Sequence, residues 1–130
     1  HWPGVIKPGM TNQVGHIIDV SATLRDITGA KYPKKVSGNK TKAPTGKSLL
    51  PIFKGEEREP HEEIFWRFNR ANAVRQGDLK VVRVGKTWEL YDLKADPTET
   101  KNLAKERPKK TSELSKMWED WNEECKIRPN

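Results

Sequence analysis

The chain has 130 residues, enough for one domain with a modest core, and hydrophobic and charged residues each make up 33% of it. Five Trp, three Phe and two Tyr, clustering from Phe65 onward, exclude a wholly disordered chain and point to a small core carrying polar segments. A net charge of +7 and a pI near 9.6 favour acidic partners such as nucleic acid, anionic membranes or sulfated glycans.

That charge is unevenly placed. Seven lysines and no acid lie between Lys31 and Lys54, together with Pro33, Pro44, Gly38 and Gly46, and a solvated loop accounts for the run without any partner. Cys125 is the only cysteine, so no internal disulfide forms, and its place near the end of a helix reads as a small buried apolar group. No apolar run approaches a membrane span, and the opening residues carry no signal-peptide pattern. Beginning at His1-Trp2-Pro3-Gly4 without Met, the chain reads as a piece of a longer protein.

In chain order, Val5 and Ile6 sit between two Pro-Gly pairs, where only a very short extended piece fits. Over Val14–Ala30, Ile17, Val20, Leu24 and Ile27 follow the three-and-four spacing of one helix face, and Gly29 is placed to end the helix in a left-handed conformation. Residues 31–60 have little periodicity. They predict a long loop with one short helical or anchored segment at Ser48–Phe53. From Glu63 to Leu93, apolar residues alternate with polar ones and turns fall at Gln76-Gly77-Asp78 and Gly85-Lys86, which predicts an antiparallel meander of about four strands. Asp96-Pro97-Thr98-Glu99 has the pattern of a capped helix start, with a turn or two expected through Ala104. The final helix, from Lys109, carries Leu114, Met117, Trp118, Trp121 and Cys125 as an apolar stripe to cover one sheet face, and Trp66, Phe68 and Trp88 are expected beneath it. The predicted class is α+β.

The order of motifs resembles the C-terminal part of the arylsulfatase family, within the alkaline-phosphatase-like superfamily. His1-Trp2-Pro3-Gly4-Val5-Ile6-Lys7-Pro8-Gly9 is similar to the family's edge strand and turn. His16-Ile17-Ile18-Asp19-Val20 to Gly29-Ala30 resembles its H-x-x-D-x-x-P-T…A-G helix, and Gly46-Lys47-Ser48-Leu49-Leu50-Pro51 its G-K-S-L-L-P stretch. Phe65–Phe68, Ala73–Lys80 and Trp88–Leu93 resemble its last strands, followed by Asp96-Pro97-Thr98-Glu99 and Asn102-Leu103-Ala104. Ala22 replaces the usual proline and Leu79 the usual tryptophan, while Phe68 and Asn69 depart from the His-bearing form of that strand in some relatives.

The resemblance implies that residues 1–30 are the tail of an α/β catalytic domain (edge strand and helix), 31–60 a lysine-rich connection and 61–130 a C-terminal α+β subdomain. It implies a parent that hydrolyses sulfate esters with a formylglycine, made from the Cys or Ser of a C/S-x-P-x-R motif, and with calcium. A sulfate ester spreads negative charge over its oxygens, so a cation with hard oxygen ligands and Lys or His donors suit the transition state. None of that machinery matches here: Cys125 continues as Lys126-Ile127-Arg128-Pro129, without the proline and arginine at the required places. No catalytic or metal-binding residue is therefore assigned, and the fragment alone is expected to be inactive. Its implied partners are the catalytic domain of the same protein and, for the parent, a sulfated small molecule or glycan, with no nucleic acid and no membrane. Bacterial members are mostly exported, so a periplasmic or extracellular parent is expected.

Within the resemblance the sheet docks beside the catalytic domain and its loops rim the pocket. Arg67, Arg70 and Arg75 are the rim candidates, because a guanidinium fork suits sulfate or carboxylate. Arg75, in a strand body, invites a pairing role instead, and Arg70 falls in the connection before Ala73. His16, at a helix start, suits packing or capping, and His1, His16 and His61 have no metal-site spacing. The reading from a different class is a stand-alone basic module for polyanions, whether sulfated glycan or nucleic acid.

Overall fold

Alternation and turn residues in the second half of the chain, and a helical period at each end, define what the fold can be. The computed structural model describes residues 2–6 and 8–126. His1, Lys7 and residues 127–130, into which the edge-strand motif and the sequence after Cys125 extend, lie outside the described residues. The chain divides into two compact units, residues 1–60 and 61–130.

In the first unit, the expected extended piece at Val5-Ile6 is instead a turn, in which the N–H groups of Val5 and Ile6 both donate to the Trp2 carbonyl. Gly4, at φ 78°, supplies the left-handed residue that this turn needs. Helix α1 (Ile18–Thr28) ends at Gly29, φ 69°, as expected. A two-stranded hairpin, β1 (Lys35–Val36) and β2 (Asn39–Lys40), lies in the lysine-rich stretch where only loop was expected. Its turn residues Ser37 and Gly38 both have positive φ, the backbone of a tight primed turn. Helix α2 (Leu50–Phe53) is the short segment foreseen at Ser48–Phe53, with Pro51 near its start where a missing N–H costs nothing.

The second unit is the predicted antiparallel meander: β3 (Glu63–Phe68), β4 (Ala71–Gln76), β5 (Leu79–Val84) and β6 (Trp88–Asp92), hydrogen-bonded in that order. Asn69 (φ 51°), Gly77 (φ 58°) and Gly85 (φ 98°) provide the left-handed residues of the three connections. Helix α3 (Pro108–Lys126) lies on one face. Register places Phe65, Val74, Val81 and Leu90 side by side, and Leu114 and Trp118 close over them with Leu103. Val74, Val81, Leu90 and Leu114 are wholly buried, each contributing about 1.5–3 kcal/mol of transfer free energy.

The ring beneath α3 is Phe65, stacked on Trp121 at 4.9 Å between centroids, with Trp88 edge-on to Trp118 at 5.7 Å. Trp66 and Phe68 were expected there, but register puts them on the opposite face, where Phe68 is 76% exposed. Cys125, expected to be buried, is exposed together with Glu123 and Glu124, beyond Asn122, the last buried residue described on α3.

The expected helix at Asp96 does not form; residues 93–107 make turns. Asp96 does cap, its Oδ2 accepting the N–H groups of Thr100 and Lys101 at 2.7 Å, and these bonds hold its carboxyl below the usual carboxylate range. Glu99, however, is left-handed (φ 57°) and pairs with Lys80 rather than reaching back. Sheet edge then competes successfully for the chain: Leu103 N–H donates to Leu90 O (2.7 Å) and Asn102 Oδ1 accepts from Leu90 N–H (3.2 Å).

Tyr91 donates its hydroxyl hydrogen to Glu89 Oε2 (2.7 Å). That bond, then burial, then neighbouring carboxylates push its pKa up to about 12. Between pH 10 and 12 the unfolded phenol has lost a proton that the folded one keeps, so stability falls as pH rises through that window. Urea midpoints measured from pH 9 to 12 are expected to show this fall, and Tyr91→Phe should flatten it.

Candidate functional site

A helix whose only strong stripe is apolar should bury that stripe, yet α1 does the reverse. Ile17, Val20, Leu24 and Ile27 are all exposed, Ile17 by 76% and Leu24 by 57%, while its buried residues are Asp19, Ala22 and Thr23. Those three lie at positions i, i+3 and i+4, one face of the helix.

Asp19 is wholly buried and is the hub of the first unit. Its Oδ2 accepts the His16 N–H (2.9 Å) and an Arg58 Nη2 hydrogen (2.9 Å), and its Oδ1 accepts the Lys47 N–H (2.8 Å). One turn on, Thr23 Oγ1 donates to Asp19 O (2.7 Å) and accepts the Leu49 N–H (2.8 Å). Arg58 also donates to Lys47 O (2.8 Å) and Val14 O (2.6 Å). A charged pair this deep persists only when its remaining donors and acceptors are met, which these backbone partners largely do.

The same contacts explain two sequence motifs. In His16-x-x-Asp19 the carboxylate folds back on the His16 N–H, while His16 Nδ1 lies 3.5 Å from the Ile18 N–H it accepts, a capping role as expected. In Gly46-Lys47-Ser48-Leu49 the backbone docks on α1 through Lys47 and Leu49. A Cβ on Gly46 would stand 2.1 Å from Ile18 O, so only glycine fits. Arg58 was missed from sequence, since it sits in a run of charged residues with no pattern. The signal that could have found Asp19 is its i, i+3, i+4 relation to Ala22 and Thr23.

The three arginines singled out from sequence are not gathered together. Arg67 lies on the face covered by α3, its Nη1 donating to Asn122 Oδ1 (2.8 Å). Arg70 is exposed in the two-residue β3–β4 connection, beside exposed Phe68. Arg75 lies on the face opposite α3, toward the other end of the strand, where its Nε–H donates to Gly77 O (2.7 Å).

A formylglycine and calcium do not fit the residues present. Cys125 is exposed on α3 outside the required motif, Asp19 already serves three donors, and the described residues hold no group of three or more His, Cys, Asp or Glu able to bind a metal. Among the described residues no helix is long and apolar enough to cross a membrane.

Residues 1–126 match the family described as N-sulphoglucosamine sulphohydrolase, C-terminal. A sulfatase of Formosa agariphila is 32% identical over 126 residues, covering 82% of this chain and 22% of its own length. An N-acetylglucosamine-6-O-sulfatase of Bacteroides thetaiotaomicron is 27% identical, covering 96% of this chain and 24% of its own. A solved structure from work on the metabolism of multiple glycosaminoglycans by Bacteroides thetaiotaomicron superposes with a TM-score of 0.72 at 26% identity, covering 92% of this chain and 27% of that one. The chain thus spans about a quarter of the length of the curated relatives it matches. With motif order, fold and these relatives in agreement, the chain belongs to the sulfatase family, as a C-terminal portion within the alkaline-phosphatase-like superfamily.

Proposed function

We propose that this chain completes a sulfatase acting on a sulfated glycan, with α1 serving as the docking element for an α/β catalytic domain that the relatives' additional length would supply. The observation that carries this reading is the inverted helix α1: its polar face is buried in the first unit and its apolar stripe faces outward. Four aliphatic side chains in register on one helix face form a surface that a neighbouring domain would cover. In this reading residues 1–30 belong with the catalytic domain, 31–60 connect, and 61–130 form the subdomain. Formylglycine and calcium belong to the parent's catalytic domain, where they would supply nucleophile and charge neutralisation.

Of the three arginines, Arg70 supports the rim role best, since it is exposed at a hairpin tip beside an exposed aromatic ring. Its fork suits a sulfate oxygen pair and Phe68 offers an apolar face to a sugar ring. Arg67 and Arg75 spend donors on Asn122 and Gly77, so for them the rim role is the weaker proposal.

Sulfate release from N-acetylglucosamine 6-sulfate, from a sulfated oligosaccharide and from a small aryl sulfate tests this. The full-length protein is expected to turn over, and the 130-residue chain to stay at the level of a denatured control. Arg70→Ala should lower kcat/KM by about tenfold on the oligosaccharide and less on the aryl sulfate. Metal-dependent turnover by the chain alone contradicts the proposal. Equal loss on both substrates removes the role of Arg70.

A further inference from the structure

The lysine-rich stretch is solvated as expected, exposed throughout residues 31–40, but its centre is folded into a hairpin. The Lys35–Lys40 cross-strand pair sets two ammonium-bearing side chains on the same side of the hairpin, an arrangement that like-charge repulsion disfavours. The turn at Ser37-Gly38 enforces it, and the Lys34 carbonyl is tied to the Thr41 N–H at 3.1 Å. Beside the hairpin runs a groove of about 450 Å³ lined by Lys34, Lys35 and Lys40 together with Tyr32, Pro33 and Pro44. Among the described residues none of the three lysines has an acidic partner, whereas Lys47, outside the groove, pairs with Glu59.

We propose that this groove binds a sulfated glycan chain, its three ammonium groups taking sulfate oxygens and its prolines lying under sugar rings. The inference rests on the sulfatase reading for the class of ligand, and on the hairpin for the site. An ammonium is a point charge that accepts a tetrahedral oxyanion from many directions, which suits irregularly spaced sulfates. Nucleic acid fits less well, because a stacking platform needs several exposed rings in succession and this groove offers one, Tyr32. Tyr32 is the one aromatic lining residue, and the Arg25 guanidinium lies over its ring at 5.4 Å.

The test is calorimetric titration of the full-length protein with a size-defined heparin octasaccharide, its chemically desulfated counterpart, and an oligothymidylate of equal charge. The octasaccharide should bind, the desulfated one should not, and the oligothymidylate should bind more weakly. A Lys34→Gln, Lys35→Gln, Lys40→Gln variant should lose about tenfold in affinity and show a shallower dependence of log Kd on log salt. The corresponding triple arginine variant should keep its affinity, which separates lost charge from lost folding. Unchanged affinity in the glutamine variant overturns the proposal, as does equal or tighter binding of oligothymidylate. Failure of the sulfatase reading shows separately, as absence of sulfate release from the small substrates by the unmodified protein.

Discussion

Asp19→Ala is expected to destabilise the first unit by about 3–5 kcal/mol, because it strands the buried Arg58 guanidinium without its counter-charge. Three donors lose an acceptor at once: the His16 and Lys47 amides and Arg58 Nη2. Asp19→Asn keeps the size and one acceptor oxygen, so it should recover part of the loss at Lys47 or His16 while leaving the Arg58 charge unneutralised. Trp2 is the only tryptophan in residues 1–60, and hydrogen exchange at the Lys47 and Leu49 amides is the more direct readout. Their protection should fall sharply in Asp19→Ala, and amides of β4 and β5 should be little changed. Replacing both partners, as Asp19→Leu with Arg58→Met, should restore much of what either single change removes, since no buried charge then remains.

In the second unit, Trp118→Ala should cost about 3–5 kcal/mol, the range for removing a large buried ring. Trp118 is 4% exposed, sits edge-on to Trp88, and donates its Nε1–H to the Trp66 carbonyl at 2.9 Å. The Arg83 guanidinium lies 4.6 Å from the Trp88 ring and 5.4 Å from that of Trp118, so the substitution also removes one ring of a half-buried cation–π contact. Trp118→Phe keeps most of the apolar burial and loses the hydrogen bond, and about 1–3 kcal/mol is expected for that change. Urea unfolding followed by far-ultraviolet circular dichroism separates the two variants.

These two residues also mark what could and could not be read from the sequence. Trp118 was legible, because Leu114, Met117, Trp118 and Trp121 repeat at helical spacing and the strands before them carry clear turn residues. The face each strand ring occupies was not. Ile64-Phe65-Trp66 is apolar at every position, so a period of two cannot say which ring meets the helix, and Phe65 rather than Trp66 does. The four-strand order followed from Gly77 and Gly85, but the turns after Asp96 did not. There a good helix-start pattern is overridden by the backbone bonds of Leu103 and Asn102 to β6. Asp19 was visible only as a letter in a family motif, because its partners Lys47 and Arg58 lie 28 and 39 residues away. Arg67 and Arg70 are three residues apart in sequence and both exposed, yet one bonds the covering helix and the other lies in the connection between β3 and β4.

The outward stripe of α1 carries the proposal that this chain docks on a catalytic domain, and Leu24→Glu probes it most directly. Leu24 is 57% exposed here, and glutamate is a good helix former. In the 130-residue chain the substitution should therefore change unfolding free energy by no more than about 0.5 kcal/mol. In the full-length protein it should place an unpaired charge in an apolar interface and cost about 3 kcal/mol or more, lowering the unfolding midpoint markedly. Measuring both midpoints side by side is the decisive comparison. A large loss confined to the full-length protein is the predicted result, and an equally small change in both would contradict docking through α1.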